Sequence, residues 1–115
     1  MNKNFLPISI DISNQKLLII GGGKSAFKKL VILRRFKAHV EVLALKVCAE
    51  IKQSGVKYVE KAYKKELIKN YLMLYSCTNN YELDKQILAD GKEMGVLVNI
   101  HDKPELCQFV SPAIY

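Results

Sequence analysis

One stretch constrains this chain more than any other: KLLIIGGGKSAFKK, residues 16–29. Lys16–Ile20 is a short, continuously apolar run, as suits a strand covered on both faces. Gly21-Gly22-Gly23 breaks it, and a helical pattern follows at once. Gly21, Gly23 and Ala26 fit G-x-G-x-x-A, and each position has a physical task. Gly21 permits the tight turn. Gly23 has no side chain, so a pyrophosphate can approach the backbone. Ala26 is small enough for helix and strand to pack closely. The helix start then offers unpaired N–H groups and a positive dipole end. The alternative is a glycine-rich turn with no nucleotide, but the strand–turn–helix context favours a dinucleotide.

A chain of 115 residues accommodates one domain and its core, so a single unit over 1–115 is expected. No apolar run approaches the ~20 residues of a membrane helix. The start, MNKNFLPISIDIS, lacks a signal peptide's apolar stretch, so no membrane association is expected. Cys48, Cys77 and Cys107 are odd in number and widely spaced. That argues against a disulfide framework or a zinc site, and a reducing cytoplasm is the expectation. No metal site is expected, and the cysteines read as small apolar groups. Residues 1–69 hold 15 Lys/Arg against 5 Asp/Glu, and residues 70–115 hold 3 against 6. The basic part is either a solvated lysine surface or a field attracting a polyanionic small molecule. No nucleic-acid partner is expected, for want of interleaved aromatics or a recognisable module.

Apolar runs alternate with amphipathic ones, the pattern of βαβ units and a parallel sheet. Strands are predicted at Lys16–Ile20, His39–Leu45, Lys57–Ala62, Tyr71–Cys77 and Val96–Ile100, with helices at Ser25–Phe36, Val47–Ser54 and Lys65–Asn70. A longer helix opens at Thr78-Asn79-Asn80 and runs to Met94, stopped by Gly95. The alternating Ile8–Ile12 beside Pro7 suggests a short edge strand. The closing stretch reads as loop, with Pro104 and Pro112 as breakers. The expected architecture is a three-layer α/β Rossmann-type domain. It has a mostly parallel five-stranded sheet plus that short N-terminal edge strand.

In such a sheet the ligand sits beyond the carboxyl ends of the strands. Glu41 has the offset of a ribose-binding acid, but alternation places it mid-strand. Backbone groups around Leu45 and Lys46 suit the ribose better, and Lys46 could also favour a 2′-phosphate, which leaves NAD and NADP both open. Thr78, Asn79 or Asn80 caps the following helix, meets the cofactor, or both. Asp102 stands at a strand end facing the crevice, as a proton-transfer group or as a turn former. His101 reads as a solvent-facing loop residue and His39 as structural.

Three segments together, FLPISIDISNQKLLIIGGGKSAFKK, CTNN and VNIHDKPELCQFVSPAIY, resemble the NAD-binding domain of siroheme synthase. This is the precorrin-2 dehydrogenase family, some members of which are also sirohydrochlorin ferrochelatases. The resemblance spans essentially the whole chain. It implies NAD-dependent oxidation of precorrin-2 to sirohydrochlorin, sometimes followed by iron insertion. It makes Gly21, Gly22, Gly23, Lys24 and Ser25 the pyrophosphate turn and Leu45 and Lys46 the second cofactor contact. Thr78 and Asn79 match a third contact, and Asp102 matches the catalytic acid/base. The implied substrate is a polycarboxylate tetrapyrrole, a partner for the basic first half.

There are departures. Asn79 and Asn80 replace an acidic pair, His101 replaces an apolar residue, and Phe36-Lys37 replaces Ala-Gly. The family is homodimeric and continues past Pro-Ala-Ile into dimerisation and helical regions, which are expected to be absent here. The rival functions are a non-catalytic dinucleotide-sensing module and an incomplete fragment.

Overall fold

The computed structural model describes residues 3–111. At its centre Leu17, Leu18, Ile19 and Ile20 are almost fully enclosed, because β1 (Lys16–Ile20) has a parallel strand on each side and helices on both faces. A strand so placed must be apolar throughout, as KLLII is. Its neighbours are β2 (His39–Ala44) and β4 (Met73–Ser76). Beyond them lie β3 (Lys57–Glu60) and β5 (Leu97–Ile100), giving the order β3-β2-β1-β4-β5 with every pairing parallel.

Helices α1 (Lys24–Arg34) and α2 (Ala49–Gln53) pack Ala26, Leu30, Leu33 and Ile51 against Leu17, Ile19 and Val42 on one face. On the other, α3 (Tyr81–Met94) and a 3-10 helix at Lys65–Ile68 pack Ile87 and Ile68 against Leu18, Leu74 and Val98. Each fully buried side chain of this size stabilises the fold by about 1.5–3 kcal/mol. The Rossmann-type three-layer reading holds.

The N-terminal edge strand does not form. Residues 3–12 carry no strand, Leu6 and Ile8 are exposed, and only Ile12 packs partly against the α1-side core. Alternation supplies an apolar face but no partner. The edge of β5 is already occupied: Gln108 donates its backbone N–H to the Val98 carbonyl at 2.9 Å and accepts the Val98 N–H on its side-chain oxygen, also at 2.9 Å. Asn99 adds a bond to the Phe109 carbonyl at 3.0 Å.

Smaller differences lie at element ends. The helix expected over 65–70 is a single 3-10 turn, and the closing loop contains another at Pro104–Leu106. The breaker role expected of Pro112 falls outside the described residues.

Candidate functional site

Strand order reverses between β1 and β4, so the crevice opens over their carboxyl ends. The backbone ladder continues one residue past the strands there. Gly21 N–H donates to Leu43 C=O, Cys77 N–H to Ile20 C=O and His101 N–H to Ser76 C=O, at 2.7–2.9 Å. These bonds line up four chain segments along one sheet edge: the glycine turn, residues 45–48, residues 77–79 and residues 101–102.

Gly21 has φ +134°, a conformation that L side chains rarely adopt. A Cβ at Gly22 would collide with the Lys46 carbonyl, and the Gly22 carbonyl accepts the Cys48 N–H at 2.8 Å. The turn is thus pressed against the β2–α2 loop. A Cβ at Gly23 would meet nothing within 4 Å, so that side of the turn is open. Gly23 is the N-cap of α1, which has no capping side chain and no acidic residue in its first turn. Its first N–H groups have no intrahelical partner, and the positive end of its dipole faces the opening. The start of α3 is the opposite case. Asn80 caps it by accepting the Leu83 N–H at 3.1 Å, and Glu82 and Asp84 lie in its first turn.

Leu45 and Lys46 are exposed at the end of β2. Beside them the Glu60 carboxylate accepts the Val47 N–H at 2.9 Å. That bond, with Lys52 and Lys46 nearby, outweighs desolvation and holds Glu60 below the usual carboxylate range. Across the crevice, Asn79 (φ +57°) and Asp102 (φ +59°) are both left-handed. The Asp102 side chain is 85% exposed, with His101 Nε2 3.3 Å from its Oδ2.

Residues 8–113 match the family NAD_binding_7, described as "Putative NAD(P)-binding". The chain belongs to this family. It is also similar to the siroheme synthases of Ruthia magnifica subsp. Calyptogena magnifica (32% identical) and Buchnera aphidicola subsp. Acyrthosiphon pisum (34% identical). Each match covers 96% of this chain and 24% of the relative, so the chain spans about a quarter of their length. Among solved structures, "SirC, precorrin-2 dehydrogenase" superposes with a TM-score of 0.76 at 22% identity, covering 95% of this chain and 55% of that one. That likeness shows the fold.

The open α1 start and the glycine turn suit the dinucleotide that gives the NAD_binding_7 family its description. Gly21 through Ser25, Leu45, Lys46, Thr78, Asn79 and Asp102 lie at the ends of four adjacent strands or in the turns that follow. Asn80 rather than Thr78 caps α3. The Thr78 hydroxyl turns inward and donates to Asp84 at 2.8 Å. Glu41 lies mid-strand, as alternation indicates, and accepts the Tyr71 hydroxyl at 2.6 Å with His39 3.3 Å away. Burial pushes the Glu41 carboxyl up, but the Tyr71 bond and Lys16, Lys57 and His39 outweigh it, and the net shift is down. A shallow cavity of about 150 Å³, lined in part by Leu18, Glu41, Leu43, Val59 and Tyr71, opens on the sheet face there, away from the glycine turn.

Cys77 and Cys107 are buried, and burial pushes the Cys77 thiol up to about 11, as befits a packing group. Among the described residues no His/Cys/Asp/Glu cluster could hold a metal ion, and no helix is long and apolar enough to cross a membrane. Sequence reasoning missed two features: Gly22 as the seat of the β2–α2 loop, and the buried carboxylate of Asp84. Only the three-dimensional approach of separate segments reveals either.

Proposed function

We propose that the chain binds NAD in the crevice over β1 and β4 and serves the oxidation of precorrin-2 to sirohydrochlorin. One observation carries this reading: an uncapped, acid-free helix start and an exposed aspartate share one sheet edge, across the point where strand order reverses. Gly21, Gly22 and Gly23 shape the turn, and the amides of Lys24 and Ser25 are placed for the pyrophosphate. Leu45 and Lys46 border the ribose, and Thr78 and Asn79 flank the crevice on the β4 side. Glu60 beside the Val47 amide supports NAD over NADP, against the pull of the neighbouring Lys46 and Lys52 on a 2′-phosphate.

The oxidation removes two electrons and two protons. NAD supplies the hydride acceptor, which takes both electrons with one proton. The other proton needs a base in the crevice, and Asp102 is the exposed carboxylate there. The basic first half of the chain suits a substrate bearing many carboxylates.

The test follows NADH formation from precorrin-2 with the full chain and its Asp102→Asn variant, alongside NAD titrations. Turnover should fall by about 10²- to 10⁴-fold while NAD affinity stays unchanged. Equal turnover by the variant would remove Asp102 from the chemistry. NAD binding without any turnover by the unaltered chain would favour the dinucleotide-sensing module.

A further inference from the structure

Asp84 is 1% exposed, on the first turn of α3, and its carboxylate is shared by three segments. The hydroxyls of Ser76, at the end of β4, and Thr78, in the β4–α3 turn, both donate to Oδ1 at 2.8 Å. The Lys103 ammonium, just after β5, donates to Oδ2 at 3.2 Å. A carboxylate buried this deeply is tolerated only when its oxygens are satisfied, and here both are.

The placement of the donors is the informative part. The two left-handed residues of the crevice, Asn79 and Asp102, are each followed or preceded by a residue bonded to Asp84. Thr78 precedes Asn79, and Lys103 follows Asp102. Left-handed conformations at residues other than glycine persist where surrounding contacts over-determine them. The Asp102 turn itself closes through one backbone bond, Lys103 N–H to Ile100 C=O at 3.2 Å. The Cys107 thiol braces it from inside, 3.3 Å from the Ile100 carbonyl and 3.4 Å from that of Lys103.

We infer that Asp84 is a positioning residue: through Thr78 and Lys103 it ties the Asn79 and Asp102 turns to α3 and holds the Asp102 carboxylate at the crevice. The role assigned to Asp102 rests on the reading proposed above, whereas the tie itself rests on geometry alone.

Two variants of the full chain test it. Lys103→Met removes the ion pair from its partly exposed side, and Asp84→Asn keeps an acceptor for the two hydroxyls while losing the charge. Amide hydrogen exchange over residues 101–103 should quicken in both. The kcat for precorrin-2 oxidation should fall roughly 10- to 100-fold, since small misplacements of a reacting group cost that much. In Lys103→Met, which leaves the Thr78 bond and the Asn79 turn alone, the KM for NAD should stay nearly constant. A urea midpoint showing the variant fully folded under assay conditions separates this from general destabilisation, which lowers apparent kcat without moving KM. The double variant should be no worse than the poorer single one, because both act on one tie. Unchanged exchange and kcat in Lys103→Met would overturn the inference, as would losses that multiply in the double variant. Should Asp84→Asn fail to fold, Lys103→Met alone decides. Should the unaltered chain fail to oxidise precorrin-2, the proposed function falls, and the exchange rates still decide whether Asp84 holds the Asp102 turn.

Discussion

At Gly23 an acidic side chain would have open space and a backbone conformation that any residue adopts, φ −101° and ψ −158°. Gly23→Asp should therefore cap α1 and raise stability by a few tenths of a kcal/mol, because glycine is already a fair N-cap. The same carboxylate would occupy the anion position, so NAD binding should weaken by at least about tenfold, or 1.4 kcal/mol. Urea unfolding and NAD titration on one sample check both signs. Glu41 offers a test by pH. Its folded-state value is lowered, so its contribution is complete above the unfolded value of 4.5 and is lost as pH falls through the folded value. Tyr71→Phe removes the hydroxyl that favours the charged form. The stability difference between Tyr71→Phe and the unaltered chain should be largest near neutral pH and should shrink below about 4.5, as urea midpoints across that range would show. Gly21 was readable from its motif because a positive φ is a local demand. Gly22 was not, because its demand comes from a carbonyl twenty-four residues away in sequence.

Helix α3 is stopped at both ends by its own sequence: Asn80 caps it, and Gly95 closes it at φ +73°. Asn80→Ala should cost about 1 kcal/mol, read from the unfolding midpoint, and should leave NAD affinity unchanged, since that side chain serves the helix. Such local signals explain why the five strands and three helices were found in the right order from residue pattern alone. They also explain the failures. Ile8–Ile12 has the alternation of a strand, yet its segment starts on the β5 side, where Lys3 bonds the Cys107 carbonyl, and β5 spends its edge on Gln108 and Phe109. The 65–70 segment has an apolar spacing, but the short crossing from β3 to β4 gives it room for a single turn. By position alone Asp84 is a first-turn acid of α3, a type that ordinarily sits on the surface and favours the helix dipole. Its burial under the crevice goes with Lys103, nineteen residues further on, past the rest of α3 and all of β5.

For the molecule as a whole, binding to the folded state alone must raise its stability by mass action. At NAD concentrations a hundred times Kd the gain should reach about 2.7 kcal/mol, seen as a concentration-dependent rise in Tm. No rise at any NAD concentration would remove the dinucleotide from the reading. The basic surplus of residues 1–69 acts over longer distances. If it draws in a polycarboxylate, KM for that substrate should climb with ionic strength while kcat holds, because salt screens the approach and not the chemistry. The two rims of the sheet have a further consequence. One rim is closed by Gln108 and its neighbours, while β3 at the other presents four exposed residues with charges at Lys57 and Glu60. Among the described residues β3 is the rim open to pairing, so copies joined rim to rim through it would leave both outer rims of the pair closed. Association by that route ends at two, so the fold carries its own terminator against fibril growth.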